Sequence, residues 1–250
     1  MRTSPQYAPD VQVGAEGWRP APDGGRLTIL HPPGSYTVKL SVGGREFTQP
    51  LTVIKDPHSG GTEADIQAQT TTLLELRRDI ERAADLVNAI ELARSQIEGL
   101  TRILEDQHIK KAGDELNQKL IAVEQNIVDL RLTGRAGRSW GSRLASNLSH
   151  LANQLASSDF KPTNQQLEVQ KLHEELLSKS ENEFKAIRER ELTEFNQLLR
   201  KRSIPDVISA EARAISQNAT SVPWRLRLSA VGGRLSALHH QTFLPKAESR

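Results

Sequence analysis

The chain has 250 residues, 36% hydrophobic and 26% charged, with 33 Lys and Arg against 31 Asp and Glu and a formal net charge of +2. That length holds one large domain or two ordinary ones. Near-balanced charge leaves no footprint of a phosphate-rich partner, and absent cysteine excludes disulfides, thiolate metal sites and a cysteine nucleophile.

The chain changes character near Asp56. Before it, Pro and Gly are dense and apolar residues alternate. Arg26–Leu30 reads as a short strand, and Pro32-Pro33-Gly34 turns the chain into a hairpin. In Ser35–Val42, Tyr36, Val38, Leu40 and Val42 share one face and Thr37, Lys39 and Ser41 the other. Gly43-Gly44 suits the positive φ angles of a tight turn. The return strand Arg45–Ile54 puts Phe47, Leu51 and Val53 on one face. Pro50 lacks a ladder donor, so this strand is expected at a sheet edge or bulged. Three or four strands fall short of the seven or so of an immunoglobulin-like sandwich, so the sheet either leans on the helices or, the preferred reading, was completed by missing sequence; the expectation for residues 1–55 is a partial immunoglobulin-like antiparallel sheet.

From Thr62 the period becomes helical. Thr62 with Asp65 resembles a capping box. Ile66, Leu73, Leu76, Ile80, Ala83, Val87, Ile90, Ile97, Leu100 and Leu104 follow at three- and four-residue steps, which predicts one long amphipathic helix. A second is predicted over Gln107–Leu132, with Ile109, Ala112, Leu116, Leu120, Val123, Ile127 and Leu130 inward. Thr133–Gly137 breaks it. A third is predicted over Trp140–Ser157 with Trp140, Leu144, Leu148, Leu151 and Leu155 on one stripe. After Pro162, Thr163 and Gln166 form another capping box, opening a helix to about Arg200 with Leu167, Leu176, Phe184, Ile187, Phe195 and Leu198 inward. The expectation for 56–208 is an antiparallel four-helix bundle, and for the whole chain an α+β, mostly α fold. Residues 209–250 are read as a flexible tail, with a hairpin through Trp224–Ala230 and Gly232-Gly233 as the alternative.

Candidate chemistry is sparse. The histidines His31, His58, His108, His150, His173, His239 and His240 lack metal-ligand spacing and are read as exposed polar residues. Helical carboxylates are read as a solvated face, because a filled bundle offers no cleft for a glycosidase pair. No GxSxG or GxxxxGK[ST] motif occurs, and Gly60-Gly61 is read as a linker. No catalytic, cofactor-binding or metal residue is assigned. Arg131, Arg135, Arg138 and Arg143 around Trp140 form the best nucleic-acid candidate, since Arg and an aromatic clamp phosphate and base. A helix–helix loop with Trp140 packed inward is preferred.

Several stretches carry a family resemblance: TSPQYAPDVQVGAEGWRPAP, PPGSYTVKLSVGGREFTQPLTVIKDPHSGGTEADIQAQ, IKKAGDELNQKL, DLRLTG, DFKPTNQQLEVQKL and FNQLLRKRSIP. From Tyr7 to about Ile208 the chain resembles the C-terminal region of bacterial sortilin-like, BNR-repeat β-propeller proteins labelled glycosyl hydrolases. The resemblance implies an exported parent whose chemistry belongs to a propeller, and no Asp-box repeat of that propeller occurs here. The Thr133–Gly141 loop and the last forty residues depart from the family pattern. The expectation is a non-catalytic structural or interaction module, the remnant of such a protein or a gene fragment of it. Its expected partners are a propeller or a second copy, with no membrane span. The alternatives are an accessory part of a glycosyl hydrolase and weak nucleic-acid binding through Arg131–Arg143.

Overall fold

A computed structural model describes residues 27–130 and 143–209 together with the strands 226–230 and 236–237. It is mostly helical, with one antiparallel sheet. Strands β1 (Gly34–Val42) and β2 (Arg45–Val53) form the expected hairpin. Gly43 and Gly44 sit at φ 55° and 77°, the doubly left-handed geometry of a type I′ turn.

The register runs from Val42↔Arg45 to Gly34↔Val53 without a bulge. A two-residue loop makes the Val42–Arg45 pair hydrogen-bonded, so alternation leaves Pro50, opposite Thr37, in a pair not bonded to β1. Its missing N–H therefore lies on the outer side of β2, which is an edge strand in the order β2-β1-β3-β4. Of the two readings of Pro50, edge and bulge, the edge holds.

Strands β3 (Leu226–Ala230) and β4 (Ser236–Ala237) fall inside the stretch read as a tail, where they form the alternative hairpin. β3 pairs with β1 from Tyr36↔Ala230 to Leu40↔Leu226. The expected strand at Arg26–Leu30 does not form over its described part. Leu27 and Ile29 pack instead against the helical core.

Four helical segments follow. α1 spans Glu63–Ile103, α2 Gln107–Ile127, α3 Leu144–Ala156 and α4 Asn164–Ile187. α4 runs through a π-turn at Arg188–Leu192 into α5, Thr193–Arg200. Both capping boxes are present: the Thr62 and Thr163 hydroxyls accept from the N–H of Asp65 and Gln166, whose side chains accept from the cap N–H in return. α2 is capped by Asp106, whose carboxylate accepts from the N–H groups of His108 and Ile109.

These segments form three rods where four were expected. Residues 94, 98 and 113 meet 124, 117 and 101, so α2 runs antiparallel to the C-terminal half of α1. The Gln69 amide reaches the carbonyl of Leu155, which lays α3 along the N-terminal half of α1. α4 then runs parallel to α1, since Glu75 meets Gln170 and Arg82 meets Glu181. α2 and α3 thus lie end to end as one interrupted rod. The reason is length: α1, with 41 residues, reaches about 60 Å, too long for either partner to cover alone.

The core follows the predicted stripes closely in α1, α2 and α3, with Leu76, Val87, Ile90, Ile97, Ile109, Leu120, Ile127 and Leu148 fully buried. α2 ends at Ile127, short of the expected Leu132, because Val128 turns extended. The stripe is displaced in α4. Leu167 and Leu176, expected inward, are 42% and 45% exposed, while Gln170, His173, Leu177, Ser180 and Phe184 face in. Leu177 is a full two turns from Phe184, which selects it over its neighbour.

Gly113 has a steric cause. A Cβ there would collide with the Thr101 methyl and crowd Ile97, so the glycine permits close α1–α2 contact. Gly61, read as a linker, is buried under the α3–α4 connection, where a Cβ would strike the Asp159 carbonyl.

Candidate functional site

The least ordinary chemistry is polar and internal. Midway along the α1–α2 interface Arg94 is 1% exposed and Glu124 fully buried. The Arg94 guanidinium donates through Nη1 to Glu124 and through Nε to Asn117 at 3.1 Å. Glu98 lies 3.7 Å from Nη2 and accepts from the Asn117 amide at 3.1 Å. Two carboxylates and a carboxamide around one guanidinium compensate much of its desolvation.

A second network ties α1 to α4. Arg82 forks onto Glu181 at 3.1 and 2.6 Å and onto Asp79 at 2.9 Å. Burial nevertheless pushes the Asp79 carboxyl above its usual range, outweighing the opposing pull of Arg82. Nearer the N-terminal end of α1, Gln69 donates to Leu155 O at 2.6 Å and to Ser158 O. These bonds satisfy carbonyls freed where α3 ends.

His173 and four of the acids depart from their expected exposure. His173 is 8% exposed, its Nδ1 has no hydrogen-bond partner, and burial lowers its pKa. Asp79, Glu91 and Glu124 are buried within α1 and α2, and Asp129 just beyond α2, so the helical acids are not one solvated face. His58, His108 and His150 are exposed as expected. Sequence spacing missed the internal set because single charged residues at core-facing positions read as breaks in a stripe. One signal was available: Arg94 and Ile97 continue the spacing of Leu76, Ala83 and Ile90.

Of the arginine candidate, Arg143 is the residue preceding α3. Arg131, Arg135, Arg138 and Trp140 lie outside the described residues, as do Trp18, Trp224, His239 and His240. Among the described residues no cluster of three His, Asp or Glu is placed to hold a metal, and no helix is long and apolar enough to cross a membrane. Among the described residues, an open furrow runs along α4 beside Lys171, Glu175, Ser178 and Lys179. All of its walls come from that one helix, so it encloses nothing.

No family model, curated protein or solved structure matches the chain. The arrangement itself is therefore the guide to function. The Arg94 and Arg82 networks cross-link helices, with carboxylates facing guanidinium groups or amides.

Among the described residues, two groups of apolar side chains are exposed together. On the sheet, Leu40, Val42, Phe47 and Leu51 share one face and are 38–56% exposed. On α4, Val169, Leu172 and Leu176 form a short outward stripe, 40–52% exposed. Contiguous exposed apolar side chains of this kind mark contact surfaces in folded proteins.

Proposed function

We propose that the chain is a non-catalytic structural or interaction module, the C-terminal companion of a sortilin-like, BNR-repeat propeller. The sheet is in this reading one half of an immunoglobulin-like sandwich. The observation that carries the proposal is the division of apolar residues. The helix stripes close on one another around tied polar groups, whereas Leu40, Phe47 and Leu51 lie together on an open sheet face. A sheet with one bare apolar face needs a second layer, and a neighbouring domain supplies it.

The test is co-purification of the chain with a separately tagged propeller of that family. Binding is expected, and the pair Phe47→Asp and Leu51→Asp should abolish it while leaving the melting temperature of the helices unchanged. Absence of binding, or hydrolysis of aryl glycosides by the chain alone, refutes the proposal.

A further inference from the structure

The outer side of α4 carries two parallel rows of side chains. Gln170, His173, Leu177, Ser180 and Phe184 turn toward the other helices. Val169, Leu172 and Leu176, three and four residues apart, lie on a shoulder of the helix and are 40%, 52% and 45% exposed. Glu168, Lys171, Glu175 and Lys179 keep the same spacing and are all exposed. Helical period places them on the side turned furthest from the buried set, where they border the apolar row. The open furrow of α4 runs along this charged row. α4 is regular from its capping box at Thr163 to Ile187, so both rows are held in fixed register with each other.

The order of charge is the informative feature. Along the chain the row reads negative, positive, negative, positive. Reversed end to end it reads positive, negative, positive, negative. A second α4 laid antiparallel therefore sets Glu168 opposite Lys179 and Lys171 opposite Glu175, and the same again by symmetry. A parallel copy sets every charge beside its like. The apolar row has the same property, since reversal brings Val169 opposite Leu176 and Leu172 opposite its own copy. The charge pairs centre within one residue of His173, and the Val169–Leu176 pair centres between Leu172 and His173. One two-fold axis beside Leu172 thus serves both rows, as a self-complementary contact requires.

We propose that this face of α4 is the seam of an antiparallel, two-fold dimer of the chain. The apolar rows meet along the axis and the charges close the rim. Three apolar side chains from each copy make a small contact, below the about 1,000 Å² of total buried surface that a stable complex needs. The dimer is therefore reversible, and the charges set its partner and direction more than its strength. The inference is independent of the propeller reading, since it uses α4 and leaves the sheet face free.

The test is analytical ultracentrifugation of the full chain in low salt, from about 10 μM to about 1 mM, a range suited to a small interface. A reversible monomer–dimer equilibrium is expected. Leu176→Asp should abolish it, whereas Phe47→Asp on the sheet should leave it unchanged. Lys171→Glu sets like charges opposite each other twice and should weaken the dimer roughly tenfold. Adding Glu175→Lys to that variant should restore the dimer, because the new order again reverses into its opposite. A chain that stays monomeric throughout, a dimer indifferent to Leu176→Asp, or equal affinity of the Lys171→Glu variant with and without Glu175→Lys overturns the proposal. Disulfide trapping gives a second measurement, since the chain has no cysteine. Leu172→Cys puts one thiol beside the axis and should cross-link at least about tenfold faster than Gln165→Cys, whose two copies the seam keeps about 20 Å apart. Equal rates overturn it.

Discussion

Arg94 and Glu124 meet inside the α1–α2 interface as a guanidinium–carboxylate pair, one 1% exposed and the other wholly buried. Asn117 and Glu98 complete the set. A buried pair of this kind adds little net stability over an apolar replacement, but breaking it strands a charge. It also makes one register of α2 on α1 far better than its neighbours, because a shift by one turn separates both charges.

Glu124→Ala should therefore destabilise the fold by about 3–5 kcal/mol, whereas Arg94→Met with Glu124→Leu should recover most of that loss. Urea unfolding monitored by helical circular dichroism measures both. A double variant as unstable as the single one would mean that the pair contributes net stability.

His173 imposes a pH dependence of definite sign. Burial holds its folded pKa below the ordinary histidine value, so the unfolded chain binds the proton first as pH falls. Stability is full above the ordinary histidine pKa and is lost on acidification through that value toward the lowered one. The raised Asp79 carboxyl acts in the opposite direction. It takes up its proton more readily in the fold, gaining stability as pH falls through its raised pKa. The melting-temperature difference between the chain and His173→Gln, followed from pH 7.5 down to pH 5, isolates the histidine share. The parent should lose more than the variant.

Gly113→Ala would stabilise an exposed helix by roughly 1 kcal/mol. Here it should destabilise by about 1–3 kcal/mol, because the methyl enters space held by Thr101 and Ile97. Thr101→Ala in the same chain should restore much of the loss. A double-mutant cycle of unfolding free energies checks the coupling.

Pro50 protects the free side of β2 by withholding a donor there. Pro50→Thr completes that edge and should promote strand-to-strand association without altering the β1–β2 register. Light scattering against concentration detects it, and an unchanged monomer fraction would show that the edge is blocked by other means.

How much of this was legible in the sequence differs by element. The hairpin was written in alternation and a Gly-Gly pair, because strand faces and turn φ angles are local properties. The starts of α1 and α4 were written in their capping boxes, where a hydroxyl and a side-chain acceptor three residues later act within one turn. The stripes of α1, α2 and α3 were legible for the same reason: helical period is local and the core takes what it presents.

The three-rod arrangement was not legible, since four amphipathic segments with connections of unstated path are equally compatible with four rods. Nor was the inward face of α4, where Leu176 and Leu177 are adjacent and only the neighbouring helices choose between them. His173, Arg94 and Glu124 look like surface residues until three helices close around them, and the Asn196 and Gln96 carboxamides bind the backbone of Val207 and Ile208, 11 and 112 positions away. Local geometry and period belong to the sequence alone. Which charges are buried, and which backbone they hold, is decided by long-range packing, where desolvation makes a partner obligatory.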